Sequence, residues 1–142
     1  MNKLFVLPLL ALLMVGCTKK NEKVEDKEYD YSDINHLKIC WDEILSQIQV
    51  SYFVYIYSET CGHCKVIKQQ VIDYALNHDG FYFVSYNNRI PIIDDESFVV
   101  GKSNINELGI VGTPTLFLIE EHIVKENIVG KNNIIATLTN SQ

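Results

Sequence analysis

The apolar run Tyr52-Phe53-Val54-Tyr55-Ile56-Tyr57 leads within four residues into Cys61-Gly62-His63-Cys64, and this junction constrains the fold more than any other feature of the chain. Six consecutive strand formers read as a strand, and the segment after them as a helix. A strand that delivers a Cys-x-x-Cys to the start of a helix is a redox arrangement. At i, i+3 the two side chains share one helix face and can close a disulfide. The first thiol sits where unsatisfied N–H groups and the positive helix end favour a thiolate, the nucleophile of thiol-disulfide exchange.

A Cys-x-x-Cys can also be half of a zinc site. Structural zinc needs a second closely spaced pair of ligands, and His36, His78 and His122 are scattered singly. A c-type haem needs His after the second Cys, where Lys65 stands. Redox chemistry is the preferred reading, with a metal site and an inert structural disulfide as the alternatives.

The chain has 142 residues and a net charge of −6 with dispersed acidic residues, so nothing in it points to nucleic-acid binding. Asp94-Asp95-Glu96 reads as a solvated loop. Met1-Asn2-Lys3, the apolar stretch Leu4 to Val15 and Gly16-Cys17 have the layout of an export signal over residues 1–16, too short to span a membrane. The ending Met14-Val15-Gly16-Cys17 resembles a bacterial lipoprotein signal, with Met14 where Leu is commoner. That resemblance implies cleavage before Cys17 and lipid attachment to it. Ordinary secretion with a free Cys17, or an uncleaved anchor, are the alternatives. The polar stretch from Lys19 to Asp30, which carries both charge signs, cannot bury enough apolar surface to order itself, so residues 17–31 read as a tether. Export sets an oxidising context in which disulfides persist.

About 110 residues, 32–142, are left for one α/β domain. Ile34, Leu37, Trp41, Ile44, Leu45 and Ile48 recur at helical spacing behind Ser32 or Asp33 as cap, which predicts an amphipathic helix ending near Gln49. Strands are expected at Tyr52–Tyr57 and Phe81–Tyr86, paired in parallel through a helix from Cys61 to about Asn77 that packs Val66, Ile67, Val71, Tyr74 and Ala75. Residues 89–103 show no convincing period and read as an insertion. Asn104–Leu108 predicts a short helix closed by Gly109, Thr115–Ile119 a central strand, Ile123–Ile128 an antiparallel partner, and Asn132 to about Thr139 a last helix after Gly130.

This order, with the CGHC helix and Gly109-Ile-Val-Gly-Thr113-Pro114-Thr-Leu-Phe-Leu-Ile119 about fifty residues on, resembles the thioredoxin superfamily over about residues 32–142. Outside that context, Thr113-Pro114-Thr115 would be an ordinary turn entering a strand. The resemblance implies a central mixed β-sheet flanked by helices on both faces. It also implies Cys61 as attacking thiolate, Cys64 as the more buried resolving thiol, a redox-active Cys61–Cys64 disulfide, and no bound cofactor. Pro114 is then expected in cis against the cysteines, with Thr113 and Gly62 on the substrate side. Main-chain groups beside a cis proline can pair with any extended peptide.

Departures from the pattern matter as well. The buried acid that many thioredoxins place six residues before the first Cys is Tyr55 here, and the usual Trp is Thr60. Glu59 is close, and a carboxylate turned inward would disfavour the thiolate, so an exposed position is expected. His63 can stabilise the Cys61 thiolate and raise the reduction potential. CGHC is similar to the active site of protein disulfide isomerase, near −180 mV against about −270 mV for thioredoxin. Cys40, beside Trp41, is expected to be buried as a small apolar residue.

Two functions follow as expectations. One is a lipid-anchored thiol-disulfide oxidoreductase outside the cytoplasm, oxidase or isomerase before reductase, acting on exported cysteine-containing proteins and recharged by a membrane redox partner. The other is a non-catalytic thioredoxin-like module for an exporter or for metal delivery, the latter needing Cys61, Cys64 and a third group such as His63.

Overall fold

The computed structural model describes residues 27–142. In β1 (Ser51–Tyr57) side chains alternate between two faces, Tyr55 and Tyr57 to one and Tyr52, Val54 and Ile56 to the other, all buried. A strand that is apolar on both faces belongs in the middle of a covered sheet. Its neighbours are β2 (Phe81–Ser85) and β3 (Thr115–Glu120), and β4 (Ile123–Val129) closes the order β2-β1-β3-β4. β1 and β2 pair in parallel with Phe53 opposite Phe81, whereas β1–β3 and β3–β4 are antiparallel. The β3–β4 turn places Glu121 and His122 at φ 51° and 65°. Two positive φ values are what a tight hairpin of this hand requires, and the His122 ring nitrogen pairs with the Leu45 carbonyl at 2.7 Å.

Helices α1 (Gly62–Asn77) and α2 (Lys131–Asn140) lie on the same face of the sheet. Ile67, Val71 and Ile72 of α1 and Ile134 and Leu138 of α2 bury against Tyr55, Phe81, Phe83 and Leu116. Val66, expected in this packing, is instead 67% exposed on the outer side of α1. Short 3-10 turns at Trp41–Glu43, Glu96–Val99 and Ile105–Glu107 cover the opposite face, where Ile44, Ile90, Val99, Leu108 and Ile110 meet Phe117 and Ile119. The sheet is therefore mixed and helix-flanked on both faces, by α-helices on one and 3-10 turns on the other.

The largest correction concerns residues 32–49. No amphipathic helix forms there. The segment has 3-10 turns at Asn35–Leu37 and Trp41–Glu43, with Lys38 bridged in parallel to Phe83 between them and the Ile39 N–H on the Phe83 carbonyl at 2.9 Å. It wraps over the β2 edge of the sheet: Ile34 is buried on the α-helical face, Ile44 on the other, and Ile48 is 98% exposed. Apolar residues at helical spacing thus serve two separate cores. Cys40 is exposed rather than buried because it lies at this crossing, where its N–H is capped by the Glu43 carboxylate at 2.7 Å.

Residues 89–103 cover the second face. Ile93 N–H donates to the Ile110 carbonyl at 3.0 Å and Ile110 N–H to the Pro91 carbonyl at 2.9 Å. Gly109 lies in this close approach, where a Cβ would stand 2.6 Å from Ile93 Cγ2 and 2.9 Å from the Pro91 oxygen. Asp94, Asp95 and Glu96 are exposed as expected, and Asp95 caps the Ser97 N–H at 2.8 Å.

The expected tether also ends earlier than residue 31. Tyr29 exchanges two hydrogen bonds with the Gln69 amide, at 2.6 and 2.7 Å, and the Tyr31 ring stacks on Tyr57 with centroids 4.0 Å apart. Aromatic rings in a polar run are buried once a helix surface supplies backbone partners. The signal over residues 1–16, Cys17 and the tether before residue 27 lie outside the described residues.

Candidate active site

Cys61 is the N-cap residue of α1, extended at φ −74° and ψ 121°, and follows a turn closed by the Cys61 N–H on the Ser58 carbonyl at 3.1 Å. Its Sγ accepts the Cys64 N–H at 3.4 Å, as a capping side chain does. Across the site the chain enters β3 through a cis peptide bond at Thr113-Pro114, in agreement with the expectation for Pro114. The Cys61 thiol donates to the Thr113 carbonyl at 3.2 Å, so two segments about fifty residues apart meet at one sulfur. Pro114 is buried, its carbonyl held by the Gly130 N–H at 3.0 Å, and the Thr115 hydroxyl donates to the Gly112 carbonyl at 2.7 Å. These bonds fix the shelf on which Thr113 sits.

The two thiols have opposite electrostatics. Burial pushes Cys61 up, but the Cys64 thiol, the Thr113 side chain and the N–H groups of Cys64 and His63 together outweigh it and hold Cys61 below the ordinary thiol range. Cys64, fully buried one turn along, is pushed up to about 11, first by burial and then by its bond with Cys61. An accessible sulfur that ionises readily above an inaccessible one that does not is an asymmetric pair suited to exchange.

His63 and Gly62 are exposed on the first turn of α1, and open space surrounds the Gly62 Cα. The His63 imidazole makes no hydrogen bond among the described residues. Glu59 and Thr60 are exposed, as expected for Glu59. Among the described residues no group of three or more His, Cys, Asp or Glu could hold a metal ion, and no helix is long and apolar enough to cross a membrane.

The structure brings in one residue that sequence reasoning missed. Tyr31, assigned to the tether, stacks on Tyr57, which stacks on Tyr55 with centroids 6.1 Å apart. All three share one hydrophobic core with Cys64. The only signal was the pair of aromatics Tyr29 and Tyr31 at the end of a polar run.

No protein-family model and no curated protein sequence matches the chain. Solved structures do. Thioredoxin f from spinach chloroplast (short form) superposes with a TM-score of 0.50 at 15% identity, covering 73% of this chain and 90% of that one. Thioredoxin from Aeropyrum pernix gives 0.48 at 21% identity, over 73% and 85% of the two chains. Chlamydomonas reinhardtii thioredoxin f2 gives 0.47 at 19%, over 75% and 95%. At 15% identity the likeness to the spinach protein is one of fold, and the fold is thioredoxin-like.

Proposed function

We propose that this chain is a thiol-disulfide oxidoreductase, held at the outer face of the cytoplasmic membrane by lipid on Cys17, that donates or shuffles disulfides in exported proteins. The observation that carries the chemistry is the Cys61 sulfur at the helix start, bonded to the Thr113 carbonyl beside cis-Pro114, with Cys64 buried one turn behind. The tether rests on the signal-like sequence ending at Cys17.

In the donating direction a substrate thiolate attacks Cys61 of the disulfide form. A Cys61–substrate bond forms, the Cys61–Cys64 bond breaks and Cys64 takes the electron pair. A second substrate thiolate then attacks the substrate sulfur of the mixed disulfide. The substrate leaves oxidised by two electrons and the pair is left reduced, to be recharged by a membrane redox partner. Cys64 can instead attack Cys61 and release an unproductive substrate. An extended substrate has the Thr113 N–H to pair with, since that group has no partner among the described residues. A stabilised Cys61 thiolate favours the reduced pair, hence a higher potential and donation rather than reduction.

Cys64→Ser should accumulate exported proteins covalently on Cys61 in cells, and their absence would count against the reading. The reduction potential against glutathione buffers gives the direction. A value near −180 mV supports donation or shuffling, one near −270 mV makes the protein a reductase, and one below about −300 mV makes the pair structural.

A further inference from the structure

Among the described residues only three buried side-chain N or O atoms have no hydrogen-bond partner: the hydroxyls of Tyr31 and Tyr55, and Asn127 Oδ1. Two of the three belong to one place, the core that also holds Cys64. Tyr55 is fully buried and Tyr31 is 6% exposed, and both share a core with Cys64. Both rings lie parallel to that of Tyr57, at interplanar angles of 17° for Tyr31 and 5° for Tyr55. An unpartnered buried hydroxyl is costly, and native folds keep few of them.

Exchange places a charge at this spot. Whenever Cys64 attacks or leaves, its sulfur carries the negative charge in full burial, and among the described residues no carboxylate or cation is buried with it. We infer that the Tyr55 hydroxyl, assisted by that of Tyr31, is the hydrogen-bond donor that receives the charge developing on Cys64 during exchange. The inference rests on the exchange chemistry proposed above. It makes Tyr55 and Tyr31 neutral donors held ready for a charge present only in the reacting state, which is how preorganised sites lower a barrier.

The phenols do not act as proton sinks. Burial first, and then the Cys64 sulfur, drive both far above the ordinary tyrosine range, so each keeps its proton throughout. In resolution the Cys64 thiolate attacks Cys61, the Cys61–Cys64 bond forms and the Cys61–substrate bond breaks. The departing sulfur takes the electron pair; the Cys64 proton has gone to solvent before the attack, since the attacking species is the thiolate. Other groups facing this pair are Tyr57 and Glu59 from β1 and its loop, Cys61 from α1, and Lys68 with its ammonium 5.8 Å from the Tyr31 ring centre.

The test is stopped-flow reaction of the reduced full chain, carrying Cys17→Ser and Cys40→Ser, with a symmetrical aromatic disulfide. The first release of aromatic thiolate reports attack by Cys61 and the second reports closure by Cys64. Tyr55→Phe should slow the second phase by roughly tenfold or more, the worth of one hydrogen bond to a charge, and move its pH midpoint upward. Its first phase should stay at the wild-type rate, which also certifies a folded site. Tyr31→Phe should act in the same direction and the double variant further. If the variants keep the wild-type second phase and midpoint and merely unfold at higher temperature, the hydroxyls are only a burden and the inference is overturned. A wild-type chain with a first phase and no second would overturn the exchange reading itself, and this inference with it.

Discussion

Cys61 caps the helix that holds Cys64 three residues on, yet their surroundings separate their chemistry. Burial opposes ionisation at both. Only Cys61, at the open end of α1, collects enough hydrogen bonds to reverse that, while Cys64 is pushed up to about 11. Carbamidomethylation of the reduced Cys40→Ser protein should therefore show Cys61 reacting with a pH midpoint below about 8.5, the ordinary thiol value. Its rate rises as pH climbs through that midpoint. Cys64 should stay unmodified until the medium is strongly alkaline. Both thiols titrating together near the ordinary value would contradict the asymmetry. The identity of this pair was legible in four letters, whereas the bond from Cys61 to Thr113 was not, because contacts so distant in sequence leave no local pattern.

The elements were read well where each serves a single core and badly where the chain changes core. β1, α1, β2, β3, β4 and α2 lie within one or two residues of their expected bounds, since period and turn chemistry there agree with the packing. Residues 32–49 have the right period for a helix and form none. Ile34 and Ile48 would share one helix face, but Ile34 is fully buried and Ile48 is 98% exposed. Ile34→Ala should cost about 2–5 kcal/mol in urea unfolding, the range for buried Ile to Ala. Ile48→Ala should stay within about 0.5 kcal/mol of wild type, as exposed substitutions do. Similar losses at the two positions would restore the helix.

For the whole molecule the buried tyrosines make alkaline pH a stress. Burial raises the phenols of Tyr31, Tyr52, Tyr55, Tyr57 and Tyr74, with Tyr57 reaching about 12. Unfolded tyrosines ionise near pH 10. Between about 10 and 12 the unfolded state binds fewer protons than the folded one, so stability falls as pH rises. Cys64 has the same sign from about 8.5 to about 11, but only as a free thiol. Cys61 has the opposite sign, and its contribution is complete above about 8.5 and lost as pH falls through its lowered folded value. Urea midpoints should thus decline from about pH 8.5 in the reduced protein and only from about pH 10 in the disulfide form. Parallel declines in the two forms would show that Cys64 titrates normally.

By itself the sequence determined the order of strands along the chain and the helix that starts at the cysteines, while the cis-proline segment opposite them came only as what the resemblance to the thioredoxin superfamily implied. Those are properties of period, turn residues and short motifs, each confined to a few neighbouring positions. Only the tertiary structure decided that residues 32–49 wrap the sheet edge, that Cys40 faces solvent, that Gly109 is needed for a close approach to Pro91, and that Tyr31 shares a core with Cys64. Each of these depends on which surface a residue meets. A ring, a thiol or a glycine carries no mark of that until strands and helices from distant parts of the chain enclose it.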